Sequence, residues 1–438
     1  MGQQRKLLYW QVLTVALLVV GYAGYYLCRS DLSVALPLVV RDLAARGVST
    51  DVAEVRFADI ASLGVLAYAI GKFISGGVAD FLGGRRNFLA GMAGSALFTV
   101  LFALAGGFPL FSLTWFANRL VQSTGWTGMV KICSRWFSYA TYGTVMGVVS
   151  LSYLFGDAAS RQFMGVLIGR GVGWRGVFFV AAGTLMILLL LNFLFLRETP
   201  RDLGLDEPHA NPRNLFKEEG EEPEPTGLRD LLGPLARSWI FWLVCLLSLG
   251  FTLVRETFNL WTPTYFNQVV GLSPAGAAQE SALFPFFGGV SVLAAGYASD
   301  RLKRGGRAAI ILYGLVLAVI ALLALAYVDF GASKVWPVAL VAAVAFLLLG
   351  PYSYFAGAIS LDFGGKHGSA TAAGIIDGIS YLGAVTAGGG MGRISVAYGW
   401  KGAFVVLAAV CGLSSVAALA YLRNQRKAVR LVAGVTGD

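Results

Sequence analysis

Two arginines, Arg29 and Arg255, stand in stretches of sequence that are otherwise apolar. Arginine does not shed its proton inside a protein. A charge at mid-membrane depth costs a few kcal/mol or more and marks function by default. Each guanidinium therefore wants an anion, and its planar fork suits the bidentate geometry of a phosphate or carboxylate. The competing reading is local: Asp31 and Glu256 stand close by in sequence and could neutralise the two arginines.

Other polar and aromatic residues in apolar segments carry a functional and a structural reading side by side. Lys72 could serve as a second pocket cation, or snorkel to the surface near Asp80. Arg119, within Asn118-Arg119-Leu120-Val121-Gln122, is a pocket cation or half of a structural ion pair. Asp157 and Arg161 lie four apart on one expected helix, which suits an intrahelical pair. Asp377 has no cation near it in sequence. It could carry a proton, meet a basic group of a ligand, or find a structural partner on the second or tenth helix. Lys131 and Arg135 read as interfacial residues. Tyr22, Tyr26, Trp126 and Tyr381 could line a pore, although most membrane aromatics pack or sit at interfaces.

The elements that must position these residues follow from composition. The chain has 438 residues, 57% hydrophobic and only 13% charged, with a mean hydropathy of +0.69. Soluble domains carry about 25% charged residues, so a water-facing surface cannot be built from what is present. The apolar runs are solid rather than alternating and reach the ~20 residues that a spanning helix needs, which disfavours a β-barrel. Spans are expected near 9–39, 57–79, 87–106, 109–134, 142–169, 176–197, 238–266, 276–298, 308–328, 335–358, 369–392 and 400–422. The expected fold is an all-α integral membrane protein of twelve transmembrane helices. Residues 1–199 form one six-helix bundle and 238–438 the other, joined by an acidic hydrophilic linker over 200–237 that includes Glu218–Pro225. With both termini in the cytoplasm, roughly 20 basic residues fall on the cytoplasmic side and roughly 8 on the other, as the positive-inside rule requires.

The two halves repeat each other. Gly24–Pro37 lies over Gly250–Pro263 without a gap, and Gly, Leu, Arg and Pro coincide, bringing Arg29 onto Arg255. One helix later, Gly76-Gly77-Val78-Ala79-Asp80 with Arg85-Arg86 matches Gly296-Tyr297-Ala298-Ser299-Asp300 with Arg301, Lys303, Arg304 and Arg307. Gly76 and Gly296 allow close helix approach. Asp80 and Asp300, with Arg85 and Arg301, could cap a helix end or form ion pairs in loops that gate the cytoplasmic side.

Several classes are set aside. The excess of 34 basic over 24 acidic residues is explained by membrane loops rather than by nucleic acid. Cys28, Cys133, Cys245 and Cys411 lie singly in apolar spans, and His209 and His367 fall in expected loops, so disulfides, a metal site and a histidine proton relay are not expected. No nucleophile–base constellation and no Gly-x-x-x-x-Gly-Lys loop is present; an enzyme and a cofactor are not expected. The basic start Met1–Lys6 leads into an apolar run too long for a cleavable signal.

A symmetric pair of buried arginines in such a scaffold suggests how an anion could cross. Held about 10 Å apart across a cavity, they would repel by ~1.7 kcal/mol at an effective dielectric of ~20. A doubly charged oxyanion between them would remove that repulsion, so the loaded protein could close and reopen while the empty one resisted. Exchange would be favoured over net leak.

At these residues the chain resembles the organophosphate:phosphate antiporter family of the major facilitator superfamily. The stretches that carry the resemblance are Gly21–Pro37, Ala67–Phe73, Gln122–Trp126, Glu198-Thr199-Pro200 with Gly204-Leu205, Leu253–Tyr265 and Thr371–Gly374. The Gly-x-x-x-Asp loops and the Arg119-x-x-Gln122 spacing resemble superfamily motifs. The resemblance implies that Arg29 and Arg255 bind the substrate's phosphate and that inorganic phosphate is the counter-substrate, in a bacterial inner membrane and a monomer. Departures warn against borrowing a relative's substrate: Ser30 stands where close glycerol-phosphate carriers have a second basic residue. Thr127-Gly128 replaces Pro-Pro, and Ser152 replaces a histidine. A different organic phosphate or phosphonate is expected, one that could also carry a positive group. The alternatives are a proton-coupled symporter of a sugar acid, using Asp31, Asp157, Glu256 or Asp377, and a transporter-like sugar-phosphate sensor.

Overall fold

The computed structural model describes residues 3–209, 214–216, 227–272, 277, 280–302, 306–331 and 333–435. The acidic run Glu218–Pro225, with Lys303 and Arg304, lies outside the described residues. Among the described residues the secondary structure is helical, and each expected span meets a helix or a broken pair of helices. The elements are α1 (Gln3–Ala44), α2 (Thr50–Leu82), α3 (Gly84–Leu104), α4 (Phe108–Gln122), α5 (Thr124–Trp136), α6 (Tyr142–Gly169) and α7 (Trp174–Phe195). After a short 3-10 turn, Pro200–Leu203, come α8 (Leu228–Arg237), α9 (Trp239–Gln268), α10 (Leu283–Arg301), α11 (Gly306–Tyr327), α12 (Val335–Tyr352), α13 (Ser360–Gly364) and α14 (Ser369–Val435). Nine segments among the described residues are long and apolar enough to cross a membrane. The fourth, fifth and eighth expected spans coincide with α4–α5, α6 and α10, which fall below that measure.

Local chemistry explains the boundaries. Ser49 and Ser238 accept from Val52 N and Phe241 N and so cap α2 and α9. Thr199 and Asp202 close a capping box on the 3-10 turn, which ends at Gly204 with a φ of 68°. α14 contains two expected spans, separated at Gly399, whose φ of 67° and ψ of 178° break the helical path.

The chain forms two compact units. The first comprises Met1–Tyr139, Val149–Leu232 and Leu361–Gly378; the second comprises Ala140–Val148, Gly233–Ser360 and Ile379–Asp438. In the first unit an aromatic core gathers Phe57, Phe102, Phe111, Trp115, Trp174 and Phe178, with Phe102 and Phe178 stacked at 4.9 Å. Glycines set the helix spacing near the polar residues. A Cβ at Gly76 would lie 2.6 Å from Ala370 O, and one at Gly374 would lie 2.4 Å from Lys72 O, so α2 and the start of α14 pack backbone to backbone. In the second unit a Cβ at Gly296 would lie 2.7 Å from Gly143 O.

Each unit also carries an aspartate on a helix N-terminus. Asp80 accepts from Thr371 N at 2.7 Å and Ala370 N at 3.4 Å. Asp300 accepts from Thr144 N at 2.6 Å and Gly143 N at 2.9 Å. The unsatisfied N–H groups and positive dipole end of a helix favour a carboxylate at that place. Lys131, read from sequence as interfacial, is instead 3% exposed and pairs with Asp80 at 2.9 Å. Its ammonium also donates to Lys366 O at 2.6 Å. Its place toward the end of the expected fourth span suggested an interface, but the carboxylate that neutralises it comes from a different helix, α2.

Candidate functional site

Helical spacing on α1 puts Tyr22, Tyr26 and Arg29 on neighbouring turns. Arg29 Nη1 donates to Tyr26 Oη at 3.0 Å, and Nε donates to Gln122 Oε1 at 3.3 Å. From α4, Arg119 Nη1 donates to the same Gln122 oxygen at 2.9 Å. Two guanidinium groups thus converge on one neutral amide. That amide is held in register by its own nitrogen, which donates to Cys28 O and to Asn118 Oδ1, both at 2.6 Å.

Tyr68, on α2, lies at the centre of this group. Arg29 Cζ stands 4.3 Å from its ring centroid, Arg119 Cζ 4.8 Å and Lys72 Nζ 4.9 Å. A ring face stabilises one cation by roughly 0.5–2 kcal/mol, which cannot cancel the mutual repulsion of three. Asp377, from the start of α14, forms an ion pair with Lys72 at 2.7 Å. Of the structural partners open to Asp377, the second helix supplies it. Arg29, by contrast, is not held by its sequence neighbour. Asp31 is fully buried and accepts from Leu32 N at 2.7 Å, and its other oxygen has no hydrogen-bond partner among the described residues.

Behind the arginine, Tyr22 packs on Tyr26 and Trp126 with ring centroids 5.9 and 5.8 Å apart. Asp157 binds the hydroxyl of Ser30 and pairs with Arg161 at 3.0 Å, giving the intrahelical pair its spacing suggests.

In the second unit Arg255 pairs with its neighbour Glu256 and lies 4.3 Å from the Tyr352 ring centroid. Here the local carboxylate is engaged, unlike Asp31 beside Arg29. Tyr381 is half-buried in the same unit. Of the loop residues, Arg85 donates to Leu196 O and Phe193 O at the end of α7, and Arg301 lies 4.5 Å from the Tyr297 ring centroid. Asp300 pairs with Arg307 at 3.3 Å.

Sequence reasoning did not single out Tyr68 or Glu207, and it named Gln122 only within the Arg119-x-x-Gln122 spacing. Tyr68 lies one helical turn from Lys72, and Gln122 three residues from Arg119, which are the available signals. Glu207, in the stretch after α7, is 2% exposed and receives Lys366 at 2.9 Å, Arg135 at 3.5 Å and Arg201 at 3.7 Å. Arg135 is therefore engaged with a buried carboxylate rather than resting at an interface. Burial alone would raise the Glu207 pKa. The hydrogen bond from Lys366 and the charges of Arg135, Lys366 and Arg201 outweigh burial and hold it below the ordinary glutamate value.

Comparison with known proteins accords with this architecture. The model of the Major Facilitator Superfamily matches residues 18–388. A probable hexose phosphate transport protein of Chlamydia pneumoniae is 29% identical, over 94% of this chain and 91% of that protein. The glucose-6-phosphate exchanger SLC37A2 of Bos taurus is 30% identical, over 79% of this chain and 76% of that protein. Among solved structures, the human organic anion transporter MFSD10 superposes with a TM-score of 0.69 at 16% identity, over 93% of this chain and 99% of that one, a likeness of fold. With a family match across most of its length, an all-α membrane architecture and the repeated aspartate loops, the chain belongs to the Major Facilitator Superfamily, a multi-pass membrane transporter and not an enzyme.

Proposed function

We propose that the chain exchanges a small organic phosphate or phosphonate for inorganic phosphate by alternating access, with Arg29 as the anion ligand of the first unit. The observation that carries the reading is the convergence of Arg29 and Arg119 on the single neutral oxygen of Gln122. A phosphate brings several acceptor oxygens and two negative charges to a place where two guanidinium groups now share one uncharged acceptor. Bidentate, charge-assisted bonds are stronger than the bonds they replace. Tyr26 and Tyr68 then hold the Arg29 fork in orientation. Arg255, which repeats Arg29 in sequence, takes the corresponding role in its own unit, where Glu256 holds it until the anion arrives. Relatives named as a hexose phosphate transport protein and a glucose-6-phosphate exchanger support the substrate class.

The same reading divides the chain into bundles over 1–199 and 238–438 and gives the Asp80 and Asp300 loops a gating role. It also assigns a monomer in a bacterial inner membrane, with both termini in the cytoplasm according to the basic loops.

Vesicles loaded with inorganic phosphate and tested for uptake of labelled phosphate, with and without a proton gradient, decide the matter. The expected result is exchange independent of the gradient and lost in Arg29→Ala and Arg255→Ala. Uptake that requires protons and ignores internal phosphate would overturn it. That outcome would favour proton-coupled transport of a sugar acid, for which buried Asp31 with its unpartnered oxygen would be the carrier.

A further inference from the structure

The Lys72–Asp377 pair has an asymmetry that bears on which organic anion fits. The Lys72 side chain is 1% exposed, whereas that of Asp377 is 15% exposed. The ammonium is covered by the Tyr68 ring on one side and by the Asp377 carboxylate at 2.7 Å on another. What remains accessible is the carboxylate. From the same ring, Arg29 presents a guanidinium that is only part-buried. A molecule approaching this cluster therefore meets the part-buried guanidinium groups of Arg29 and Arg119 and one accessible carboxylate, rather than the three cations that the sequence alone would place there.

We infer that Asp377 is a specificity-determining residue, selecting organic phosphates or phosphonates that carry an ammonium group and disfavouring those with an uncharged or second anionic substituent. The inference rests on the phosphate-exchange reading for the anionic end of the ligand and adds the chemistry of its other end. The phosphate or phosphonate lies on Arg29, and the ammonium donates to the accessible Asp377 oxygens. Asp377 keeps its bond to Lys72, because a carboxylate accepts through two oxygens with about four lone-pair sites. A second anionic group would face the carboxylate with the neutralising ammonium buried behind it, a like-charge arrangement that works as rejection. Departures of the sequence around the arginine, Ser30 in place of a second cation among them, act in the same direction by lowering the positive charge of the pocket.

The test uses two phosphonates of equal length, 2-aminoethylphosphonate and propylphosphonate, which differ by an ammonium in place of a methyl. Both compete against labelled phosphate exchange in vesicles holding the full chain. The expected result is half-inhibition by 2-aminoethylphosphonate at a concentration roughly ten- to a hundredfold lower, the range that a hydrogen bond to a charged group supplies. Asp377→Asn is expected to erase that ratio, measured against whatever phosphate self-exchange the variant itself retains, and Asp377→Glu to retain it. Equal inhibition by the two compounds, stronger inhibition by propylphosphonate, or a ratio that survives Asp377→Asn would overturn the inference. Phosphate self-exchange without a preference between the phosphonates sinks this inference alone. Where self-exchange is itself missing in the unaltered protein, the functional reading fails. The same ratio is then read as shifts in the melting temperature of the purified protein with each phosphonate. A larger shift with 2-aminoethylphosphonate that Asp377→Asn removes supports the assignment of Asp377, and equal shifts overturn it.

Discussion

Asp80 receives the backbone amide of Thr371 at 2.7 Å while holding the buried ammonium of Lys131 at 2.9 Å. One carboxylate therefore satisfies a helix N-terminus and a cation at once. Asp300 repeats the first of these on Thr144 in the second unit, with Arg307 as its cation. Because Lys131 is 3% exposed and Arg307 14%, the two sites differ in how much an unpaired cation costs. Asp80→Asn should destabilise the first unit by about 3–5 kcal/mol, the usual consequence of removing one partner of a buried pair. Asp300→Asn should cost less. Melting curves of the two variants in detergent check the order, and Asp80→Asn combined with Lys131→Met should recover part of the loss.

Gln122→Glu offers a sharper probe of the anion site than removal of an arginine. It places a permanent carboxylate where Arg29 and Arg119 already converge. The variant gives up the amide donations to Cys28 O and Asn118 Oδ1, and it is expected to bind external phosphate at least roughly tenfold more weakly, since each ~1.4 kcal/mol of competing interaction is worth that factor. Concentration dependence of phosphate exchange reads the affinity. Unchanged affinity would remove Gln122 and its two arginines from the site.

Glycine positions make a steric prediction. Gly374→Ala would put a methyl group 2.4 Å from Lys72 O, and Gly76→Ala one 2.6 Å from Ala370 O. Backbone atoms cannot step aside as side chains do, so α2 and α14 must separate. Overpacking of this kind costs about 1–3 kcal/mol and would disturb the Lys72–Asp377 pair between the same helices. Gly165→Ala, inside α6 with nothing within 4 Å of the added carbon, is the matched control: it should not lower the melting temperature, since alanine favours a helix over glycine, and should leave transport unaffected.

The Glu207 cluster predicts a pH response with a defined sign. Its carboxyl is held below the ordinary glutamate value, about 4.3, by Lys366, Arg135 and Arg201 despite its burial. A group with a depressed folded pKa contributes stability that is fully present above the unfolded pKa and is lost as pH falls through the folded one. Attachment of residues 198–209 to the first unit should therefore be unchanged between pH 8 and about 5.5 and weaken only under acid conditions. Hydrogen exchange of that segment, with the intrinsic pH dependence of amide exchange corrected, gives the measurement. Glu207→Gln should raise exchange across the whole range.

Much of this molecule was legible from residue order alone. Long apolar runs dictate membrane-spanning helices because an unsatisfied backbone in lipid costs several kcal/mol per group, and every expected span meets a helix. The internal repeat brought Arg29 onto Arg255 at an offset of 226 residues and Asp80 onto Asp300 at an offset of 220, since a duplicated bundle keeps its costly charges in place. The Asp157–Arg161 pair followed from helical periodicity. What tertiary structure decided was the identity of distant partners. Lys72 finds Asp377, Lys131 finds Asp80, and Glu207 gathers Lys366, because glycine contacts and helix packing bring together residues that sequence separation leaves unrelated. The two arginines, alike in sequence, also part ways in space: Glu256 pairs with Arg255, while Asp31 turns its bond to Leu32 N and leaves Arg29 to Tyr26, Tyr68 and Gln122. Sequence placed the charges at membrane depth, and packing determined which were neutralised there, because an ion pair depends on ångströms that residue order does not record.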